Sequence, residues 1–192
     1  MLSINRIFNK LRGVYLDIYF YFNKSILFKD KFGLSYYLYK NTRPKNTYNI
    51  GVRTDDTTVL YVIEKILSSS DNVNNNYIHC VDVGSYIGVV TLMMSKVLQK
   101  KSLRWQVHSF EPYPETFLRL KKNVDLDIAN KNIVLNNIAV SDKSGVQTLK
   151  TYPTTPGQNH IDFNSSEYED GVKKEKVNVI TLDQYMNEKS IK

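Results

Sequence analysis

The 192-residue sequence contains one cysteine, Cys80. A single cysteine excludes an intramolecular disulfide and leaves a cysteine-based zinc cluster without ligands. Cys80 lies in an apolar run typical of a strand, so we interpret it as a buried, unreactive thiol rather than as a nucleophile. The near absence of cysteine is typical of a reducing compartment, and we expect a cytoplasmic protein.

Long apolar runs are also missing. Residues 4–22 place apolar side chains at spacings of three and four, which predicts an amphipathic helix. Charged and polar residues interrupt this segment, so it is too polar to span a membrane, and no small-residue cleavage site follows it. Its aromatic and basic character suits a helix that lies on a membrane surface. The alternative is a helix packed on the domain or on a partner.

Acidic residues are scarcer than basic ones, with 19 Asp and Glu against 26 Lys and Arg, which gives a net charge of +7. Such a charge would suit a nucleic acid, an anionic membrane or an anionic substrate. The lysines, however, are scattered in pairs and form neither a block nor a nucleic-acid motif, as is typical of solvated surfaces. We therefore expect no nucleic-acid partner, and the sequence predicts no metal site.

The chain divides into two predicted parts. Residues 1–50 form an N-terminal helical and aromatic extension, in which the alternating pattern of 26–39 predicts a β-hairpin. Residues 51–192 form the main domain, which begins with a predicted helix at 54–67. Predicted strands then span 78–83, 107–110, 133–140, 146–149 and 177–181, and predicted helices begin near Val89, Pro114 and Leu182. This alternation predicts an α/β fold with three α/β/α layers and a mostly parallel sheet.

The most informative feature is the turn at residues 81–88 (VDVGSYIG), between a predicted strand and a predicted helix. Such a turn lets a ligand approach the backbone closely. The dinucleotide fingerprint requires glycine where this chain has Tyr86 and Val89, so a pyrophosphate would meet side chains. Asp82 would oppose a pyrophosphate but suits a ligand with an ammonium group, such as the methionine part of S-adenosylmethionine (SAM). The turn therefore favours SAM over NAD.

Glu111 ends the next predicted strand, where an acidic side chain can accept hydrogen bonds from both hydroxyls of a ribose. Its separation from Gly84 exceeds the usual spacing of about 20 residues. The polar connection at 100–104 accounts for the excess. Two alternatives remain open: Glu111 caps the helix that begins at Pro114, and Asp82 is a simple turn residue.

Four segments resemble motifs of the FkbM-type methyltransferases, in the same order. They are 81–92 (VDVGSYIGVVTL, similar to VDVGANIGxxTL), 109–112 (SFEP, similar to FEP), 137–145 (NIAVSDKSG, similar to NxAVSD…G) and 179–185 (VITLDQY, similar to VxTLDxY). The match extends over residues 78–186 and is much weaker over 1–50. It implies a Rossmann-like class I methyltransferase fold and SAM-dependent methyl transfer, usually to a hydroxyl oxygen of a sugar, lipid-linked glycan or polyketide.

The resemblance also assigns residues to parts of the cofactor by position. The methionine side would be lined by Asp82, Gly84, Ser85 and Gly88, the ribose by Glu111, and the adenine by Asn137 and Ile138. Tyr86 replaces the usual Asn, and it either narrows the cofactor entrance or packs over it.

In the family, a strand reading roughly IKIDVEG follows the last of these motifs and contributes acidic residues that face the transferred methyl group. This sequence ends at Ile191-Lys192, where that strand is expected, so the C-terminal strands of the sheet are expected to be missing. A fragment, a partner that supplies the missing part and a degraded relative remain alternatives. A non-catalytic remnant that binds SAM or another protein is accordingly the alternative to an enzyme.

No catalytic base is assigned from the sequence. His160 falls in residues 151–171, which cluster proline, glycine and serine and predict an exposed loop. It is a candidate base, with an ordinary surface histidine as the alternative. His79 and His108 fall in predicted strands, and we interpret them as structural.

Overall fold

The computed structural model describes residues 23–29, 33–39, 61–65, 77–100, 104–152, 159–162 and 171–191. The strands are β1 Ser25–Lys29, β2 Ser35–Tyr39, β3 Tyr77–Val83, β4 Arg104–Phe110, β5 Ile133–Asn136, β6 Ala139–Val140, β7 Gly145–Thr151, β8 His160–Ile161 and β9 Lys173–Ile180. The helices are α1 Val89–Leu98, α2 Pro114–Val124 and α3 Leu182–Glu188. Residues 61–65 are also helical, within the predicted helix at 54–67, whereas the predicted helix at 4–22 lies outside the described residues.

Three parallel strands form the central sheet, in the order β3-β4-β5. The register pairs Val83 with Phe110 and Phe110 with Asn136, so the carboxyl ends of all three strands lie at one edge. Parallel neighbours require crossover connections, and α1 and α2 supply them. The turn after β3 is therefore brought beside the residue that follows β4. Within the described ranges β3 pairs with β4 alone, so the structure contains an α/β parallel sheet but not a full Rossmann sheet.

Helices pack on both faces of this sheet. Alternate residues of β4 point to opposite faces and contact different helices. Val107 packs with Leu92 of α1 and Leu120 of α2 in the larger core. His108 and Phe110 face the other side, where Tyr185 of α3 packs edge-on against Phe110 with ring centroids 4.7 Å apart. These contacts place α1 and α2 against one face of the parallel sheet and Tyr185 of α3 against the other, and the complete three-layer architecture stays a prediction.

The predicted hairpin at 26–39 is confirmed, since β1 and β2 pair antiparallel from Ser25–Tyr39 to Lys29–Ser35. Leu34 and Tyr36 are buried in the same core as α1 and α2. The hairpin thus packs against the core formed by α1 and α2. The predicted division at residue 50 stays a prediction.

The predicted strand at 133–140 is wrong in one respect, because it is two strands in two sheets. Residues 133–136 end the parallel sheet, and residues 139–140 pair with β9 in a second sheet of order β6-β9-β7-β8. The side chain of Asn137 donates hydrogen bonds to backbone carbonyls of the preceding loop, which turns the chain away from β4. Since β9 pairs parallel with β6 but antiparallel with β7, this second sheet is mixed rather than parallel.

The expected loop at 151–171 also requires correction. His160 lies in β8, opposite Lys150 of β7, and not in a loop. β9 begins at Lys173, four residues before the predicted strand at 177, and its first half pairs with residues 148–151 of β7. In the part of the chain that the structure describes, no helix has the length and apolar character needed to cross a bilayer.

Candidate functional site

The turn after β3 is held against the end of β4 by backbone hydrogen bonds. The amides of Gly84 and Ser85 both donate to the carbonyl of Phe110 at 2.9 Å, and the amide of Gly88 donates to the carbonyl of Ser85 at 2.8 Å. The Ser85 hydroxyl donates to the Asp82 carbonyl at 2.8 Å and accepts from the Phe110 amide at 3.1 Å. The hydroxyl predicted to line the methionine side therefore stabilises the turn itself.

The two glycines of this turn serve different ends. Gly84 has φ of +76°, and a Cβ built on it would meet no atom within 4 Å, so the backbone there faces open space. Gly88 has φ of +90°, and a Cβ on it would lie 2.6 Å from Cδ1 of Leu120. Gly84 thus leaves the turn accessible to a ligand, whereas Gly88 allows α2 to pack directly onto it. Tyr86, between them, adopts φ of +53°, which is uncommon for a residue with a side chain.

Asp82 is buried beneath the turn, with 8% of its surface exposed. Its Oδ2 accepts a hydrogen bond from the Thr91 hydroxyl at 2.5 Å, and that hydroxyl lies 2.8 Å from the Ser109 hydroxyl. Burial raises the pKa of Asp82, and the hydrogen bonds from Thr91 and Ser85 oppose that rise. Asp82 therefore connects β3 to α1, and a direct contact with an ammonium group stays a prediction.

Glu111 lies beside the turn with 6% of its surface exposed. Its Oε2 accepts from the Tyr86 amide and its Oε1 from the Tyr113 amide, both at 3.0 Å. Burial raises the pKa of Glu111 to about 7, the two amides oppose this, and Asp82 adds to it. Tyr113 immediately precedes α2, so its bond to Oε1 fits the alternative in which Glu111 caps that helix. The bond from Tyr86 to Oε2 does not. Each carboxylate oxygen retains a further lone pair for a ligand hydroxyl.

The residues predicted to flank adenine follow β5. The Asn137 amide donates to the carbonyls of Glu111, at 2.8 Å, and Pro112, at 3.1 Å, and so holds the loop that carries the carboxylate. Ile138 packs partly buried against the cluster of Phe110 and Tyr185 on the α3 face. The structure thus places Asn137 at the sheet edge with Glu111 and the turn, while Ile138 packs below that edge.

The three histidines lie apart from the turn. His79 Nδ1 lies 2.9 Å from His108 Nε2, and His108 Nδ1 lies 2.9 Å from the Tyr185 hydroxyl, on the α3 face. Burial, together with the charges of His79 and Lys189, lowers the pKa of His108 to about 4. His160 stacks on Tyr152 at the edge of the second sheet, with ring centroids 5.6 Å apart. Its role as a base stays a prediction.

Sequence reasoning missed several polar residues that organise this site. Thr91 and Ser109 are fully buried beneath the turn, and Asn123 of α2 is fully buried behind it. A signal for Asn123 was available, because it shares the helical spacing of the apolar Leu120 and of Phe117. Polar side chains on the inner stripe of a helix must find partners.

Comparison with known proteins identifies a family and several similar structures, two of which are described below. The model of the methyltransferase FkbM domain matches residues 82–192. A SAM-dependent methyltransferase from Agrobacterium tumefaciens is similar at 11% identity and a TM-score of 0.43, over 61% of this chain and 33% of that one. A proposed transferase from Pyrococcus horikoshii is similar at 16% identity and a TM-score of 0.39, over 60% of this chain and 37% of that one. The chain thus spans about a third of the length of either structure, and no curated protein matches it.

Proposed function

Because this chain belongs to the FkbM methyltransferase family, whose cofactor is SAM, we propose that it methylates a hydroxyl oxygen of a sugar, a glycan or a related small metabolite. The proposed acceptor class follows the resemblance of the four sequence motifs. We also propose that β3, β4 and β5 form part of a Rossmann-like class I methyltransferase sheet. The single cysteine favours a cytoplasmic location.

The observation that carries the proposal is the open face of Gly84 beside the buried carboxylate of Glu111. SAM is large and polar, so its site must combine room over a backbone turn with fixed acceptors for its ribose hydroxyls. Gly84 offers the room, since no atom lies within 4 Å of the position of a Cβ. Glu111 offers the acceptors, because both of its oxygens are oriented by backbone amides and keep free lone pairs. These residues fit the cofactor.

When bound, SAM would supply an electrophilic methyl group on a sulfonium. The contribution of this chain is to bind and orient it. Glu111 accepts hydrogen bonds from the ribose hydroxyls, and the side chain of Asn137 holds the loop that carries Glu111. Asp82 and Thr91 fix the end of β3, so that the open backbone at Gly84 keeps one geometry. Tyr86 is half-buried at the turn, and its amide donates to Oε2 of the carboxylate.

Calorimetric titration with SAM, with its demethylated product and with NAD tests the cofactor assignment. We expect the first two to bind and NAD not to bind. Glu111→Ala should weaken SAM binding by about tenfold to a hundredfold, because two hydrogen bonds to a charged group are lost. Glu188→Ala, a change of an exposed acid on α3, serves as the matched control. Absence of SAM binding by a folded wild-type protein would refute the assignment.

The alternative is a non-catalytic protein that binds SAM or a partner without methyl transfer. Incubation with SAM carrying a labelled methyl group and a cell extract separates the two. We expect label to appear in a small, carbohydrate-containing fraction and to disappear with Glu111→Ala. Binding of SAM without any transferred label would favour the non-catalytic alternative.

A further inference from the structure

The β1–β2 hairpin packs on the same helix that packs on the glycine turn. Tyr36 is 1% exposed and contacts Phe28 edge-on, so the inner face of the hairpin is part of the core. Leu120 of α2, in the same buried cluster as Tyr36, occupies the space where Gly88 would carry a Cβ. One helix thus contacts both the hairpin and the proposed cofactor turn.

Asn123 connects these two elements through α2. Its side chain is fully buried, and its Oδ1 accepts from the Tyr37 amide at 2.6 Å. Its Nδ2 donates to the Ile87 carbonyl at 2.7 Å and to the Tyr37 carbonyl at 3.3 Å. The backbone of Tyr37 in the hairpin therefore bonds both the oxygen and the nitrogen of the Asn123 side-chain amide. The same nitrogen also donates to the Ile87 carbonyl in the turn.

Only an amide satisfies this arrangement. The site needs one acceptor facing Tyr37 and donors facing both Tyr37 and Ile87, and a side-chain amide provides a carbonyl oxygen and two N–H groups. A carboxylate has no donor for the Ile87 carbonyl, and an apolar side chain would leave three buried backbone groups without this partner. Because all three partners belong to the backbone, the contact fixes the path of the turn rather than the side chains on it.

Cationic side chains of α2 hold the hairpin strand from outside. The Lys122 ammonium lies 3.8 Å from the centroid of the Tyr37 ring, and the Arg119 guanidinium lies 4.7 Å from that of Tyr39. Cation–π contacts of this kind stabilise the docking of neighbouring elements. They lie within one turn of Asn123 and keep β2 in the register that the Asn123 bonds require.

We propose that Asn123 is a positioning residue for SAM binding, and that the hairpin is the brace that orients it. Asn123 would not touch the cofactor. It fixes the Ile87 carbonyl, and through it the segment from Gly84 to Gly88 that leaves backbone open to the ligand. This inference rests on the proposed function, because the turn is taken as the SAM site.

The test compares Asn123→Asp with Val107→Ala. The first keeps the acceptor for the Tyr37 amide but places a carboxylate oxygen against the Ile87 carbonyl. The second removes apolar packing from β4 and leaves the Asn123 bonds in place. We expect the Kd for SAM to rise about tenfold in Asn123→Asp and to stay within about twofold of wild type in Val107→Ala at matched thermal stability. An equal Kd in the two variants would overturn the inference.

Amide hydrogen exchange gives a readout that does not depend on the cofactor. The Gly88 amide, which donates to the Ser85 carbonyl, should exchange about tenfold faster in Asn123→Asp and not in Val107→Ala. If wild type fails to bind SAM, the proposed function fails, and this measurement alone decides whether Asn123 fixes the turn. Equal Gly88 exchange in both variants would then overturn the brace.

A milder pair covers the case in which Asn123→Asp does not fold. Lys122→Ala removes the cation from the Tyr37 ring, whereas Lys121→Ala changes an exposed neighbour that pairs with Asp125. We expect the Gly88 amide to exchange about twofold to fivefold faster in Lys122→Ala, because one exposed cation–π contact is lost. Its exchange rate in Lys121→Ala should equal that of wild type. Identical exchange in the two lysine variants would overturn the inference.

Discussion

At the scale of single residues, the burial of Glu111 orients a carboxylate for SAM but lowers the stability of the folded protein. The same burial that orients its carboxylate raises its pKa to about 7 from an ordinary 4.5. Between these two pH values the unfolded chain releases the proton while the folded protein retains it. The contribution of Glu111 to stability therefore falls as the pH rises from about 4.5 to 7, and this loss persists above that range.

Glu111→Gln should remove this contribution to the pH dependence, because the amide does not titrate. The difference in free energy of unfolding between pH 5 and pH 7.5 should change by about 1–3 kcal/mol relative to wild type, with the variant gaining at the higher pH. Urea denaturation of the cofactor-free protein at both pH values measures it. A variant that follows the wild-type pH dependence would show that Glu111 is ionised throughout.

Two glycines with the same backbone conformation and the same open surroundings allow a matched comparison. Gly84 and Gly171 have φ of +76° and +77°, and a Cβ on either would meet no atom within 4 Å. Alanine at either position should therefore cost about 1–2 kcal/mol of stability from backbone strain alone. Only Gly84 lies on the proposed SAM surface, so Gly84→Ala should also weaken SAM binding by about tenfold or more, whereas Gly171→Ala should not.

Thermal unfolding and calorimetric titration of both alanine variants check this expectation. Equal SAM affinities in Gly84→Ala and Gly171→Ala would place the cofactor elsewhere. Unequal losses of stability without cofactor would show that the space above one of the two glycines is not open.

At the scale of secondary structure, α3 contacts the sheet through the hydroxyl of Tyr185 within an apolar interface. The Tyr185 hydroxyl lies 2.9 Å from Nδ1 of the buried His108. Tyr185→Phe keeps the ring against Phe110 but leaves that nitrogen without its partner, which should cost about 1–2 kcal/mol. Tyr113→Phe, which removes only an exposed contact with Glu115, should change stability by less than about 0.5 kcal/mol.

Urea denaturation monitored by far-ultraviolet circular dichroism measures both tyrosine variants. A cost in Tyr185→Phe no larger than that in Tyr113→Phe would mean that His108 finds another partner. Proteolysis that releases α3 more readily from Tyr185→Phe would locate the loss at this contact.

The elements of the parallel sheet could be predicted because their patterns are local. An apolar run followed by Gly84 specified β3 and its turn, and the proline at 114 marked the start of α2. The division of 133–140 could not be predicted in the same way. The run is apolar on both sides of Asn137, and only a tertiary hydrogen bond to the Glu111 loop decides that the chain changes sheets there.

The site was predictable to the same extent. The strand-end positions of Asp82 and Glu111 follow from parallel topology, which sequence alternation indicates. The directions of their side chains do not, because Asp82 is drawn inward by Thr91, nine residues away on the next helix. The role of Asn123 depends on a hairpin 86 residues earlier in the chain, and no local pattern records a contact at that distance.

At the scale of the whole molecule, two buried titrations oppose each other. His108 has a pKa of about 4 in the folded protein against an ordinary 6.5. Its folded form stays neutral while the unfolded chain takes up a proton, so stability falls as the pH drops from about 6.5 to 4. Glu111 acts in the opposite sense over an overlapping range. Together these two groups should leave the stability of wild type nearly independent of pH between about 4.5 and 6.5.

Single variants should uncover the two opposing slopes. Glu111→Gln leaves the histidine, so its free energy of unfolding should rise from pH 4.5 to 6.5, while His108→Asn leaves the glutamate and should show a fall. The double variant should return to a flat profile, because each change removes one titration. Urea denaturation at several pH values in this window measures all four proteins. If the free energy of unfolding changed with pH in the same direction in the two single variants, burial would not be shifting the pKa values of Glu111 and His108 in opposite directions.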